Sequence, residues 1–311
     1  MGKIAFVFPG QGSQYAGMGK ELAENYFQAK AVYLEADTVK EISSLCFTGD
    51  EQELRKTTNT QPALLTTSFA CAEVLRSKGI KPDFLAGHSL GEYVALVVAG
   101  VISFKEALRL VILRSKLMEE AMPFGRGTMA AILGLSNQNV REICLEASKI
   151  ALVEPANFNC PGQVVIAGFS EGVETALQLA REKGARRVIP LAVSGPFHSS
   201  LMKPVGAILS EKIKELAFQK PSIPLVANVT GIFAPEAEII QDNLVSQVNK
   251  PVLWEDSINY LYAAGARIFI EVGPGKVLTG LIKKTLKNVL LLNVEDEASL
   301  NKTLAKLQEV V

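Results

Sequence analysis

The sequence predicts an α/β protein, a parallel sheet covered by helices with a smaller subdomain inserted into it. Two observations carry that prediction. Apolar, strand-like runs alternate with amphipathic helical stretches over most of the chain, the pattern of a parallel sheet with crossover helices. Between about Gly125 and Gly195 the rhythm changes, and the segments follow the ferredoxin-like order βαββαβ. A large subdomain is therefore expected over residues 1–126 and 196–311, with a small one over 127–195.

Taken in order, Ile4–Phe8 is an apolar run that leads into the loop Pro9-Gly10-Gln11-Gly12. After the turn Pro82-Asp83, Phe84–Ala86 reads as a short buried strand and Glu92–Ala99 as a helix. A longer helix is expected from about Phe104 to Met122. The inserted unit reads as strand Met129–Leu133, helix Asn137–Ala147, strands Val153–Asn157 and Gln163–Ala167, helix Glu171–Lys183 and strand Arg187–Leu191. Gly125-Arg126-Gly127 and Ser194-Gly195-Pro196 look like hinges at its two ends, so the junction could wall a cleft. Leu225–Asn228, Ile268–Val272 and Val289–Leu292 complete the main sheet, and Gly273-Pro274-Gly275 follows one of them. In open α/β sheets, sites gather at such carboxyl ends of strands.

Composition narrows the class of function. Lysine plus arginine equals aspartate plus glutamate at 32 each, which leaves no global field to draw nucleic acid or an anionic membrane. Cys46, Cys71, Cys144 and Cys160 have neither CxxC spacing nor the density of a disulfide scaffold, so reduced thiols and no metal site are expected. With no signal-peptide pattern before Ile4 and no apolar run long enough for a bilayer, the expected location is cytoplasmic.

Gly87-His88-Ser89-Leu90-Gly91, between strand and helix, has the spacing of a nucleophile elbow. Its two glycines let backbone approach without a Cβ clash, and the turn would lift the Ser89 hydroxyl out of the sheet. Such an elbow makes the large subdomain α/β-hydrolase-like; the bland alternative is a glycine-rich turn. A serine needs a base, and the chain offers only His88 and His198. Adjacent residues at a strand end point to opposite sides, so His88 either supports the elbow or is a core histidine. His198, in the loop returning from the small subdomain, is the better base. No lone acid after Ser89 stands out as the third member, so a carbonyl could orient the imidazole instead.

On the helix from Phe104, Ala107, Leu110, Val111, Leu117, Met118 and Ala121 form one apolar stripe at about 100° per residue, and Arg114 lies at its centre. Arg109 and Lys116 fall on the opposite face. An inward guanidinium is costly unless paired. Its partner is either a group on another helix or a substrate carboxylate held by the fork. Gln11 could supply a backbone N–H to a developing oxyanion together with that of Leu90, although Pro9-Gly10-Gln11-Gly12 also reads as a simple tight turn. Phosphate binding by that loop is a weak reading, because it lacks the Walker lysine and full GxGxxG spacing.

Together these residues resemble the malonyl-CoA:acyl carrier protein transacylases, the acyltransferases of type II fatty acid synthesis. The resemblance runs nearly end to end, through Phe8-Pro9-Gly10-Gln11-Gly12-Ser13-Gln14, Gln61-Pro62-Ala63, Gly87-His88-Ser89-Leu90-Gly91-Glu92-Tyr93, Asn157-Phe158-Asn159 with Pro161-Gly162-Gln163, and Glu271-Val272-Gly273-Pro274-Gly275. It implies Ser89 as nucleophile, His198 as general base, the amides of Gln11 and Leu90 as oxyanion hole, and Arg114 as the clamp on the malonyl carboxylate. It also implies that the carbonyl of Gln247 orients His198 in place of a triad acid. Met118 would line the acyl pocket, and His88 and Asn159 are placed with the substrate-binding residues. Phe197 resembles the bulky residue of malonyl-selective members, where a ring would crowd an α-methyl branch.

The implied reaction is ping-pong transfer of malonyl from malonyl-CoA to the thiol of acyl carrier protein, with no cofactor beyond the thioester, by a monomer that binds neither nucleic acid nor membrane. Three rivals stay open. A serine thioesterase or esterase shares the elbow, but its usual order places histidine late, whereas about a third of this chain follows His198. An acyltransferase serving polyketide assembly has the same chemistry. A non-catalytic carrier-docking module would use Lys283, Lys284 and Lys287 or Arg186-Arg187, which read equally as solvated faces.

Overall fold

The protein is described by a computed structural model covering residues 2–123 and 125–310. Among the described residues the strands are β1 (Lys3–Phe8), β2 (Phe84–Gly87), β3 (Gly127–Leu133), β4 (Val153–Cys160), β5 (Gln163–Phe169), β6 (Arg187–Pro190), β7 (Leu225–Val226), β8 (Val252–Leu253), β9 (Ala266–Val272) and β10 (Leu290–Val294). They form two sheets. The first has the order β10-β9-β1-β2-β7 with every neighbouring pair parallel.

Alternation along β1 explains why that sheet is covered on both sides: Phe6 and Phe8 belong to one apolar cluster, Ala5 and Val7 to another. The β1–β2 register pairs Phe8 with Gly87, so the loop after β1 and the elbow after β2 leave the sheet side by side. That placement builds the site.

The second sheet has the order β6-β3-β5-β4-β8. Antiparallel pairing joins β3 to β5 and β6, and β4 to β5. Period-two patterning again separates its faces. Ala130, Ile132, Val164 and Ile166 pack with the helices Asn137–Ala147 and Ser170–Glu182, while Met129, Ala131, Val165 and Ala167 face the core of the first sheet.

Three local expectations need correction. The run Leu225–Asn228 is a strand only over Leu225–Val226. Beyond it the chain turns back, with the Gly231 N–H bonded to the Ala227 carbonyl and the Ala227 N–H to the Ile232 carbonyl, which carries Asn228 out of the sheet. The helix from Phe104 ends at Glu120, so Ala121 is exposed rather than part of the buried stripe. The small sheet is also not made from the insert alone, because β8 pairs parallel to β4 through Asn157–Val252 and Phe158–Leu253. Among the described residues no helix is long and apolar enough to cross a membrane.

Candidate active site

Ser89 sits on the turn between β2 and the helix Gly91–Val98 with φ of 51°, a left-handed conformation rare for a residue with a side chain. Close packing around the turn makes the flanking glycines obligatory. A Cβ on Gly87 would lie 1.9 Å from the carbonyl carbon of Gly91, and one on Gly91 would lie 2.1 Å from the Phe8 oxygen. Asn228 pins the strained peptide: the Ser89 N–H donates to its Oδ1 at 2.7 Å, and its Nδ2 donates to the Gly87 carbonyl at 2.6 Å.

The Ser89 Oγ lies 2.8 Å from Nε2 of His198. On the other side of the ring, Nδ1 is 2.7 Å from the backbone carbonyl of Gln247. A carbonyl only accepts, so the proton sits on Nδ1 and Nε2 is left to accept from the serine hydroxyl. His198 is itself left-handed, at φ 60°, and its N–H is tied to the Val248 carbonyl. Burial first, and then the neighbouring Arg114 charge, lower its pKa to about 3, so the imidazole is neutral at ordinary pH.

Arg114 reaches this pair from the helix Phe104–Glu120, whose first turn is closed by a capping box of Ser103 and Glu106. It is fully buried. Its Nη1 donates to Gln61 Oε1 at 2.6 Å, and its Nη2 to Ser89 Oγ at 3.1 Å and Gln247 Oε1 at 3.0 Å. Each of these partners is neutral. Nε has no partner among the described residues, and the Tyr93 ring lies 5.4 Å from the guanidinium carbon. The result is a desolvated cation with spare donors beside the nucleophile, a binding geometry for a carboxylate.

Ser89, His198, Arg114, Met118, Phe197 and His88 line one cavity of about 110 Å³. Gln11 and Leu90 line it too, and among the described residues neither backbone N–H donates to a protein acceptor. An adjoining cavity of about 250 Å³ shares Gln11 and His88 and adds Asn159, whose Oδ1 is 2.8 Å from His88 Nε2. His88 thus stands between the two cavities and makes no hydrogen bond to Ser89. A larger cleft of about 560 Å³ reaches the far side of His198, but neither Ser89 nor Arg114 lines it. Lys283, Lys284, Lys287, Arg186 and Arg187 are exposed and outside all three.

Three site residues carry structural duties that the sequence reading left unassigned. Gln61 holds the guanidinium and also donates to Met118 Sδ at 3.6 Å. Asn228 pins the elbow. Glu92, buried in an otherwise apolar helix, accepts from Gln247 Nε2 at 2.6 Å and from the Asn228 N–H at 3.3 Å. A lone charge in an apolar helix was the available signal for Glu92; the turn that delivers Asn228 leaves no such mark.

Comparison with known proteins places this geometry. The family model described as acyl transferase domain matches residues 5–308. The malonyl CoA-acyl carrier protein transacylase of Bacillus subtilis is 49% identical over 312 aligned residues, covering 99% of this chain and 98% of that protein. The crystal structure of the malonyl CoA-acyl carrier protein transacylase from Clostridium perfringens matches with a TM-score of 0.96 at 42% identity, over 99% of this chain and 98% of that one. A malonyl-transacylase in complex with its type II PKS acyl-carrier protein matches with a TM-score of 0.95 at 45% identity, over 98% and 99% of the two chains.

Proposed function

This chain belongs to the acyl transferase domain family, and from that premise we propose that it carries malonyl from coenzyme A to the thiol of acyl carrier protein through a malonyl-serine ester. The observation that supports the reading most is the 2.8 Å contact between Ser89 Oγ and His198 Nε2 in the cavity that also holds buried Arg114.

In the first half-reaction the malonyl carboxylate docks on Arg114. His198 Nε2 takes the hydroxyl proton while Ser89 Oγ forms a bond to the thioester carbon. The carbonyl oxygen becomes an oxyanion received by the N–H groups of Gln11 and Leu90. Collapse breaks the carbon–sulfur bond, and coenzyme A leaves as thiol with the proton from His198. In the second half, His198 takes the proton of the phosphopantetheine thiol, and the sulfur attacks the serine ester. Ser89 then recovers its proton as malonyl leaves on the carrier. Gln247 fixes the tautomer throughout, and Met118, Phe197, His88 and Asn159 shape the path of acyl group and thiol.

The thioester supplies all the driving chemistry, so no cofactor enters the scheme. The same reading makes the protein a cytoplasmic monomer of fatty acid synthesis. Strands β3 to β6 of the small sheet are assigned to a ferredoxin-like subdomain over residues 127–195, inserted in an α/β-hydrolase-like subdomain formed by 1–126 and 196–311, which adds β8 to the sheet's edge.

Intact-mass measurement after mixing with malonyl-CoA tests the proposal. The wild type should gain one malonyl group, Ser89→Ala none, and added holo acyl carrier protein should discharge the adduct. Release of free malonate at the same rate with and without the carrier would instead identify a thioesterase.

A further inference from the structure

The acyl-transfer steps leave a buried carboxyl of the site unused. Glu92 lies beneath the elbow, 2% exposed, and both of its hydrogen bonds are accepted ones, from Gln247 Nε2 and from the Asn228 N–H. Those two partners hold the two reacting side chains. Asn228 takes the Ser89 N–H and ties down the Gly87 carbonyl, while the backbone carbonyl of Gln247 holds the Nδ1 proton of His198.

The Gln247 side chain is the centre of this arrangement. Its Oε1 accepts from Arg114, and its Nε2 donates to the Ser89 carbonyl at 2.9 Å and to Glu92 at 2.6 Å. A guanidinium can only donate and a carboxylate only accept, so between them the amide has a single permitted orientation. The Ser89 carbonyl keeps Nε2 on that side as well, and the carboxylate adds the shorter, charge-assisted bond that holds it there.

We propose that Glu92 is a positioning carboxylate, which fixes the Gln247 side chain and Asn228 and through them the imidazole of His198 and the peptide of Ser89. It does what a triad acid does, at one remove: it holds the residue whose carbonyl holds the histidine. The inference rests on the acyl-transfer reading of Ser89 and His198.

The surroundings give this role a pH signature. Facing Glu92 are the Arg114 cation from helix Phe104–Glu120, the Tyr93 hydroxyl from its own helix, and the neutral amides of Gln247 and Asn228. Burial raises its carboxyl to about 7, against the opposing pull of Gln247, Asn228 and Arg114. Both accepted bonds end on Oε2, so protonation removes the charge that strengthens them and adds an O–H donor to a group surrounded by donors.

The test is the single-turnover rate of Ser89 acylation by malonyl-CoA across neutral pH, for the wild type, Glu92→Gln and Glu92→Asp. In ¹⁵N-labelled protein the His198 Nδ1–H resonance is followed alongside. The wild-type rate should fall as pH drops through about 7, where the carboxyl titrates. Glu92→Gln should acylate at least about tenfold more slowly, without that acid limb, at a malonyl-CoA KM within about twofold of wild type. Its His198 proton should shift, and Glu92→Asp should keep the limb. Overturning results would be a folded Glu92→Gln with wild-type rate and pH profile, or a rate loss matched by unfolded protein while the folded fraction keeps its limb and His198 resonance. Absence of any wild-type malonyl adduct would sink the acyl-transfer reading instead, while the resonance still reports whether Glu92 holds the imidazole.

Discussion

Removing Arg114 should collapse the preference for malonyl over acetyl. The side chain is fully buried, its hydrogen-bond partners Gln61, Ser89 and Gln247 are neutral, and Glu92, the acid that attracts it, is hydrogen-bonded to Gln247 and forms no ion pair with it among the described residues. A malonyl carboxylate therefore gains hydrogen bonds to a desolvated cation, each worth about 1.5 to 3 kcal/mol net. At about 1.4 kcal/mol per factor of ten, one such bond makes a preference of about 10- to 150-fold. The carboxylate has a second effect, since it cancels the charge that helps depress His198, whereas acetyl leaves that charge in place. Arg114→Ala should thus lower the malonyl rate by at least that factor and change the acetyl rate far less. The assay is competition between malonyl-CoA and acetyl-CoA for Ser89 in one reaction, read as the ratio of the two adduct masses. Taking the ratio removes any general damage from losing the contacts to Ser89 and Gln247. An unchanged ratio in folded Arg114→Ala would refute the carboxylate clamp.

Phe197→Ser should raise methylmalonyl use relative to malonyl by about tenfold or more, the scale of one methyl group in an apolar pocket, as measured by competing the two thioesters. Gly91→Ala forces a Cβ to within 2.1 Å of the Phe8 oxygen and should cost several kcal/mol in denaturant unfolding or prevent folding altogether. His198 and Glu92 contribute opposite slopes to stability against pH. The histidine pKa is lowered in the fold from 6.5 to about 3, so its contribution is full above about 6.5 and is lost as pH falls towards 3. The carboxyl is raised from 4.5 to about 7, so its contribution is full below about 4.5 and is lost as pH rises through 7. Glu92→Gln should accordingly melt higher than wild type at alkaline pH, with the gap closing on acidification in thermal unfolding scans.

Ser89 was legible because an elbow needs glycines at set positions, and Arg114 because a cation inside an apolar helical stripe breaks a pattern. Most strands were legible as short apolar runs, several of them ended by loops rich in glycine or proline. Gln247 carries no such mark: it acts on His198 through a backbone carbonyl, which any residue possesses, and only family resemblance pointed to it. Asn228 reaches Ser89 through a turn between Ala227 and Ile232 that composition does not announce. β8 is two residues long, too short for periodicity to register, and its partner strand lies about a hundred residues away.

That short strand bears on how the molecule can be rebuilt. β8 follows closely after Gln247 and Val248, which hold His198, and the Leu253 N–H is bonded to the Asn228 carbonyl at 2.8 Å. It also forms the edge of the small sheet. Residues 127–195 are therefore no interchangeable cassette. A chimera that imports a relative's insert with a different β4 edge would pull on the segments holding nucleophile and base, so acyl selectivity grafted that way needs residues 247–253 from the same donor.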